Sequence, residues 1–419
     1  MSAVAMHDSS PDPVAESFER ALAELCTDPR IRAIEAGDDA AAAGLWREVD
    51  ALGFTDALVP AELGGAGLTL QQACPLLAAA GRFGLNHPFG ETMVARALLR
   101  AAGWQPDDGC IALARAAEHD HRSGEGAVVC REVPGARLAG HVLVQHRDAW
   151  LLMPCAKADI QPGTYRPHAS ATLSWQSPRD AVFCWDRAAA AAAAAGAVAA
   201  VAGAAARAGA GAGSGASAGA DAVTGADVHA VADAETWNNA IHAAAMSGAM
   251  ERVLALSVAY ANDRRQFGRA IGQFQAVQQD LAVLAEQAGS AVLAARIGCG
   301  SPGREPGSQP RSLPDPQSGP QRSMQPDPLL AATAKLRASE AALRVAMLAH
   351  AVFGAIGITE EHVLGVFTTR LHEWRATAGT ERDCAMRIGS ALLRSGESFP
   401  AFIRAALVPA AHTESNQED

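Results

Sequence analysis

Three arginines, Arg264, Arg265 and Arg269, fall within one short stretch that also carries Gly268 and Gly272. A guanidinium presents a planar fork of N–H donors, so arginines crowded into a turn can hold a phosphate or diphosphate through paired hydrogen bonds. A solvated basic turn has the same composition. A second polar group, His119, Asp120 and His121, has metal-ligating residue types. No fourth ligand stands near it, and it reads as an exposed polar loop. The eight cysteines are scattered without a CxxC pair, which points to reduced thiols rather than a zinc site or a disulfide framework.

The arginine stretch must be positioned by the two helices that meet there. A long apolar-periodic segment runs from Trp237 to Asp263, and after the joint Phe274, Val277, Leu281, Leu284, Ala288 and Val292 recur at three-to-four spacing. Such spacing puts the side chains on one helix face. The two glycines allow a tight connection between the segments. Earlier in the chain, residues 14–106 are helical in pattern, with Phe18, Leu22 and Leu25 on one face and a helix opening at Leu70 after Thr69 as its N-cap. Residues 107–186 change character. Short β-favouring runs at 110–113, 127–131, 141–145, 150–153, 171–175 and 181–185 alternate with turn residues. Residues 187–234 form an Ala/Gly-rich linker or insertion. Helical pattern returns over 235–408, interrupted at 299–328 by a Pro-rich insertion of disordered composition. Residues 1–13 and 409–419 read as tails.

Hydrophobic residues make up 49% of 419, enough for a large core. A net charge of −11 argues against general binding of nucleic acid or an anionic membrane surface. The N-terminus has neither a basic start nor an apolar core, and the Ala-rich run at 188–206 is too weakly hydrophobic for a membrane span. The expectation is a cytoplasmic protein.

The wording of the joint carries a resemblance. Arg264, Phe267, Gly268, Ile271, Phe274 and Gln275 match the Arg-x-x-Phe-Gly-x-x-Ile-x-x-Phe-Gln signature of the acyl-CoA dehydrogenase family. Three further stretches follow the family's order. Pro60, Glu62, Gly64, Gly65 and Gly67 resemble its early glycine loop. Gly354, Gly357 and Thr359 fit its Gln-x-x-Gly-Gly-x-Gly-x-Thr turn, with Ala355 at the second Gly and Ala351 at the Gln. Phe367 to Arg375 is similar to Arg-Arg-Leu-Trp-x-Trp-Arg of a bacterial subgroup. The resemblance implies an N-terminal helical domain, a middle β-barrel-like domain and a C-terminal four-helix bundle. It implies FAD as cofactor, with Arg264, Gln266, Phe267, Gln275, Gly354, Ala355 and Thr380 as cofactor-binding residues, several of them reaching a neighbouring subunit's flavin.

The family's chemistry is α,β-dehydrogenation of an acyl-CoA thioester. A glutamate removes the α-proton, and electron-transfer flavoprotein is the implied acceptor. The two positions where the family places that glutamate fall here on Ala378 and Asn238. Neither can take a proton. Glu235 and Glu381 are the nearest carboxylates and the candidates for a relocated base; each also reads as a solvated helix-end charge. The family's Thr-Glu-Pro-like flavin element is not visible in 112–126. Two readings follow: an acyl-CoA dehydrogenase with an unusual base, or a catalytically silent subunit that completes a partner's flavin site. The latter resembles bacterial two-subunit members that oxidise steroid side-chain CoA esters. A flavin-dependent monooxygenase on the same scaffold is a third reading.

Overall fold

The computed structural model describes residues 12–117, 126–164, 169–186, 232–300, 325–359 and 362–407. The His119–His121 group, most of the Ala/Gly-rich and Pro-rich segments and the tails lie outside the described residues.

The N-terminal part holds five helices: α1 (Pro13–Leu25), α2 (Asp28–Glu35), α3 (Asp39–Asp50), α4 (Leu70–Arg82) and α5 (Phe89–Ala101). Their ends carry the expected local chemistry. Thr69 caps α4 in a reciprocal box with Gln72, and Asp38 accepts a hydrogen bond from Ala41 N–H at the start of α3. Phe18, Leu22, Leu45 and Val49 are fully buried.

Seven strands follow: β1 (Ile111–Arg115), β2 (Val128–Val133), β3 (His141–His146), β4 (Ala149–Pro154), β5 (Asp159–Pro162), β6 (Ala171–Trp175) and β7 (Phe183–Asp186). They form two sheets, one ordered β1-β3-β4-β7 and one ordered β2-β6-β5. All pairings are antiparallel except β1 with β3. The expected barrel is therefore corrected: among the described residues neither sheet closes and no ladder joins one sheet to the other. The reason lies in what covers the four-stranded sheet. Ala112, Ala114, Val142, Val144, Leu151 and Met153 pack with Val128, Cys130, Leu173 and Trp175 of the second sheet. Ile111, Leu113, Leu143 and Leu152, on the other face, join the main helical core. A sheet sandwiched between two layers is apolar on both faces and needs no closure to bury them. Strand β5 was not among the expected runs; Asp-Ile-Gln-Pro offers one β-former and is exposed throughout.

The C-terminal part is a helical bundle: α6 (Ala234–Asp263), α7 (Gln275–Gly298), α8 (Pro328–Phe353), α9 (Leu364–Ala376), α10 (Glu381–Ser395) and α11 (Phe399–Leu407). The first half of α6 is buried all round, so it forms the central rod. It crosses α4 at two glycines. A Cβ on Gly248 would lie 1.8 Å from the Ala78 carbonyl oxygen, and one on Gly81 would lie 1.9 Å from that of Ala245. This backbone-to-backbone contact fixes α6 against the N-terminal helices. Gln275–Gly298 and Pro328–Ile358 are long and apolar enough, by length and composition, to cross a bilayer. Both belong to the bundle, and Leu293, Ile297, Leu343 and Met347 leave apolar surface exposed on α7 and α8.

Candidate functional site

Helix α6 carries a candidate region at each end. At its N-terminal end, Asp233 caps the helix by accepting from Thr236 N–H at 2.7 Å. Burial works against the charge on Asp233, but the bonds from Thr236 and the Arg387 guanidinium outweigh it and hold the carboxyl below its ordinary range. Asn238, in the next turn, is 4% exposed. Its Nδ2 donates to the Leu113 carbonyl of β1 at 3.0 Å, while its Oδ1 has no partner among the described residues.

Facing Asn238 is the turn Thr377–Thr380 between α9 and α10. Ala378 has φ +51° and Gly379 φ +102°, two successive residues in the left-handed region. A Cβ on Gly379 would lie 2.7 Å from Asn239 Oδ1, so a side chain there would have to displace that buried amide as well as adopt a positive φ. The turn is held from inside the bundle. Lys335 of α8, fully buried, donates from Nζ to the carbonyls of Gly379 at 2.8 Å and Thr377 at 3.3 Å. Burial pushes the Lys335 pKa down to about 8, against the raising influence of Cys384, Glu381 and Asp383.

Asn238 and Ala378, 140 positions apart in sequence, line one cleft of about 460 Å³ with Leu113, Arg115, Glu132, Pro134, Glu235 and Arg387. That volume is in the range of a small-molecule site. Glu235 lies in this cleft but is engaged: Oε2 is 2.9 Å from Arg387 Nη2 and 3.7 Å from Arg115 Nη1. Arg387 also meets Asp233 at 3.3 Å and donates to Thr236 Oγ1 at 2.9 Å. An ion-pair bridge thus runs from β1 through α6 to α10. Glu381 does not line the cleft; it pairs with Arg375 at 2.5 and 3.1 Å. Thr380 is the N-cap of α10, boxed with Asp383.

Glu132 is a cleft carboxylate that sequence reasoning missed. It sits at φ +46° where β2 is bulged between Cys130 and Val133, and Thr164 N–H donates to it at 3.3 Å. A bulge redirects a side chain without leaving a composition signal. A second missed group is buried deeper. His242 of α6 and Glu91 of α5 meet at 2.8 Å, and Glu373 accepts from Ser170 N–H at 2.9 Å nearby. Arg370 pairs with Glu35 and donates to the Leu85 carbonyl.

At the other end of α6 the arginine joint forms a hairpin, β8 (Arg265–Gln266) and β9 (Arg269–Ala270). Arg264 caps α6, and its carbonyl accepts from Ile271 N–H at 2.8 Å. Phe267, at φ +52°, is 90% exposed at the tip. Arg269 lies over the Phe274 ring at 4.1 Å. Gln266 and Gln275 are exposed beside it. The Gly354–Ile358 turn that ends α8 sits at the same end, because Tyr260 stacks on Phe353 at 4.3 Å and Ile271 packs with Val352. Gly354 and Ala355 are both exposed there. The structure thus gathers Arg264, Gln266, Phe267, Gln275, Gly354 and Ala355 at one end of the bundle. It places Thr380 with the cleft at the other. Asn238 and Arg264 are 26 residues apart on one helix, about 39 Å at roughly 1.5 Å per residue.

Residues 230–297, which span α6, the hairpin and most of α7, match the family model described as acyl-CoA dehydrogenase, C-terminal domain. The acyl-CoA dehydrogenase IpdE2 of Mycobacterium tuberculosis is 32% identical over 153 residues, covering 36% of this chain and 41% of that relative's length. The ChsE4-ChsE5 complex from M. tuberculosis superposes with a TM-score of 0.62 at 18% identity, over 92% of this chain and 99% of that one. The FAD complex of PigA gives 0.62 at 16% identity, over 94% and 100%. At these identities the structural likeness is one of fold. The likeness in sequence is to the acyl-CoA dehydrogenase C-terminal domain over residues 230–297, and the chain spans about two fifths of the length of the curated relatives it matches.

Proposed function

We propose that this chain is the flavin-site-completing subunit of a two-subunit acyl-CoA dehydrogenase, silent in its own cleft. The observation that carries this reading is the cleft itself: both positions where a base is expected, Asn238 and Ala378, face the same space and neither can accept a proton. The hairpin end supports the other half of the reading. Arg264 and Arg265 make no ion pair among the described residues, and nothing stands within 4 Å of where a Cβ on Gly354 or Gly268 would be. Exposed guanidinium groups, an exposed aromatic ring and an open glycine turn fit a nucleotide diphosphate and its base. The length of α6 puts this cradle too far from the chain's own cleft for one flavin nucleotide to reach both. Any FAD held by Arg264, Phe267, Gln275 and Gly354 therefore has its reactive ring in a neighbouring chain. Bound FAD would take up the hydride that leaves the thioester's β-carbon. This chain would orient the cofactor's far end, and electron-transfer flavoprotein would reoxidise the assembly. The exposed apolar faces of α7 and α8 are the surface on which such a partner would pack.

A second reading, dehydrogenation in this chain's cleft with Glu235 as base, has one observation in its favour: Glu235 lines the cleft. Its carboxylate is tied to Arg387 and Arg115, so those ion pairs would have to break before it could reach a substrate proton. A visible absorbance spectrum separates the two. Flavin that appears only when the chain is purified with a glutamate-bearing homologous subunit supports the partner reading. Flavin in the chain purified alone, bleached by an acyl-CoA and no longer bleached after Glu235→Gln, refutes it.

A further inference from the structure

Three elements line the cleft with one residue and a smaller void with the next. On α6, Asn238 faces the cleft, while Ile241, His242 and Ala245 face the void. Ala378 faces the cleft, and Trp374 and Arg370 of the preceding α9 face the void. At the end of β2, Val133 and Pro134 line the cleft, and Pro134 and Gly135 line the void. Positions 238, 241, 242 and 245 share one helix face. Cleft and void thus adjoin along one face of α6 and share Pro134 in their walls. The void is nearly filled. His242 Nε2 lies 2.8 Å from Glu91 Oε1 with side chains only 2% and 7% exposed, and the Trp374 ring stacks on His242 at 6.2 Å and 15°. The space that remains is about 30 Å³, room for a single water.

We infer that cleft and void are the outer and inner ends of one channel, and that the Glu91–His242 pair beneath Trp374 is a stop that fixes its depth. The cleft then accepts at most a short acyl thioester, and a long or ring-bearing acyl group is left to the partner subunit's cleft. The inference rests on the two-subunit acyl-CoA dehydrogenase reading proposed above, and adds that this cleft, though silent, still takes an acyl thioester. A buried hydrogen-bonded pair makes an effective stop because an apolar chain wedged between the two groups would leave both unpaired in a dry interior. An apolar floor would instead yield by repacking.

The test is calorimetric titration of the full chain, purified alone, with acetyl-CoA and octanoyl-CoA. The wild type should bind the two with dissociation constants within about two-fold, since no added methylene leaves water. The Glu91→Ala/His242→Ala variant should favour octanoyl-CoA by about ten-fold or more, because the opened floor buries part of the chain. Glu91→Gln/His242→Gln, which keeps size and hydrogen bonding, should behave like the wild type. If the alanine pair does not fold, Trp374→Ala opens the same floor from α9 and should show the same gain. A wild type that already prefers octanoyl-CoA ten-fold overturns the stop. So does an opened variant with no gain, or one that binds neither thioester. Flavin held and bleached by the wild type alone would overturn the silent-subunit reading and leave the depth ratio standing.

Discussion

Replacing Lys335 by Met removes a buried ammonium while nearly keeping its volume. Two opposing effects set the result. The pKa falls from 10.5 to about 8 on burial, which corresponds to roughly 3 kcal/mol of cost for holding the charged form at pH 7. Against this, the variant leaves the carbonyls of Thr377 and Gly379 without their donor, at about 1–3 kcal/mol each. The net change at pH 7 is therefore small, and its pH dependence is the diagnostic. A lysine whose folded pKa is depressed makes the folded state bind fewer protons than the unfolded state between about pH 8 and 10.5, so its contribution to stability rises through that window. Relative to Lys335→Met, the wild type should gain on the order of 1 kcal/mol between pH 7 and pH 9. The assay is urea denaturation of both proteins at pH 7, 8 and 9. Comparing the two also cancels the buried Cys26 thiol, which burial raises to about 12 and which Lys335 does not influence; its stabilisation is lost in both proteins as pH rises above the unfolded thiol pKa near 9. A wild-type-minus-variant difference that stays constant across the three pH values would refute the account of Lys335 as a buried cation pinning the turn.

Arg264→Ala, measured in the complex with a partner subunit, should weaken FAD retention by about 10- to 100-fold, as expected for one or two charge-assisted bonds; unchanged retention on gel filtration would remove the hairpin from the cofactor site. Gly248→Ala drives a methyl to within 1.8 Å of the Ala78 carbonyl and should cost about 3 kcal/mol or more, read as a loss of several degrees in melting temperature. Glu235→Gln should leave dehydrogenase turnover of the two-subunit complex unchanged. It should lower stability by only about 1 kcal/mol at neutral pH, because its partly exposed pairs with Arg387 and Arg115 are screened by solvent.

The helical and strand character of most segments was legible because it is written in local periodicity. Closure of the β-region was not. Short alternating strands look alike in a barrel and in a layered pair of sheets, and the choice is made by what packs on the second face of β1, β3 and β4, which is contributed by helices elsewhere in the chain. The hairpin stood out because its residues are contiguous. Sequence alone could name Asn238 and Ala378 only through a family resemblance, since 140 positions separate residues that share one cleft. The Glu91–His242 pair left no trace at all. Each looks like a lone polar residue in a helix, and only the packing of α5 on α6 makes them partners across 151 positions. Glu132 was hidden for a different reason: a bulge reversed its backbone without altering the composition of its strand.

The central rod of the bundle, α6, has a consequence for how such a chain can change over generations. Its two ends answer to different masters. On the function proposed above, the cleft end would serve a ligand of this chain, while the hairpin end, roughly 39 Å away along the helix, would meet a neighbouring subunit. On that proposal, a duplicated gene could let Asn238 and its surroundings drift while selection through the other copy's cofactor still held Arg264 and Phe267. One rigid helix would then let half of a molecule retire from chemistry without releasing the other half from service.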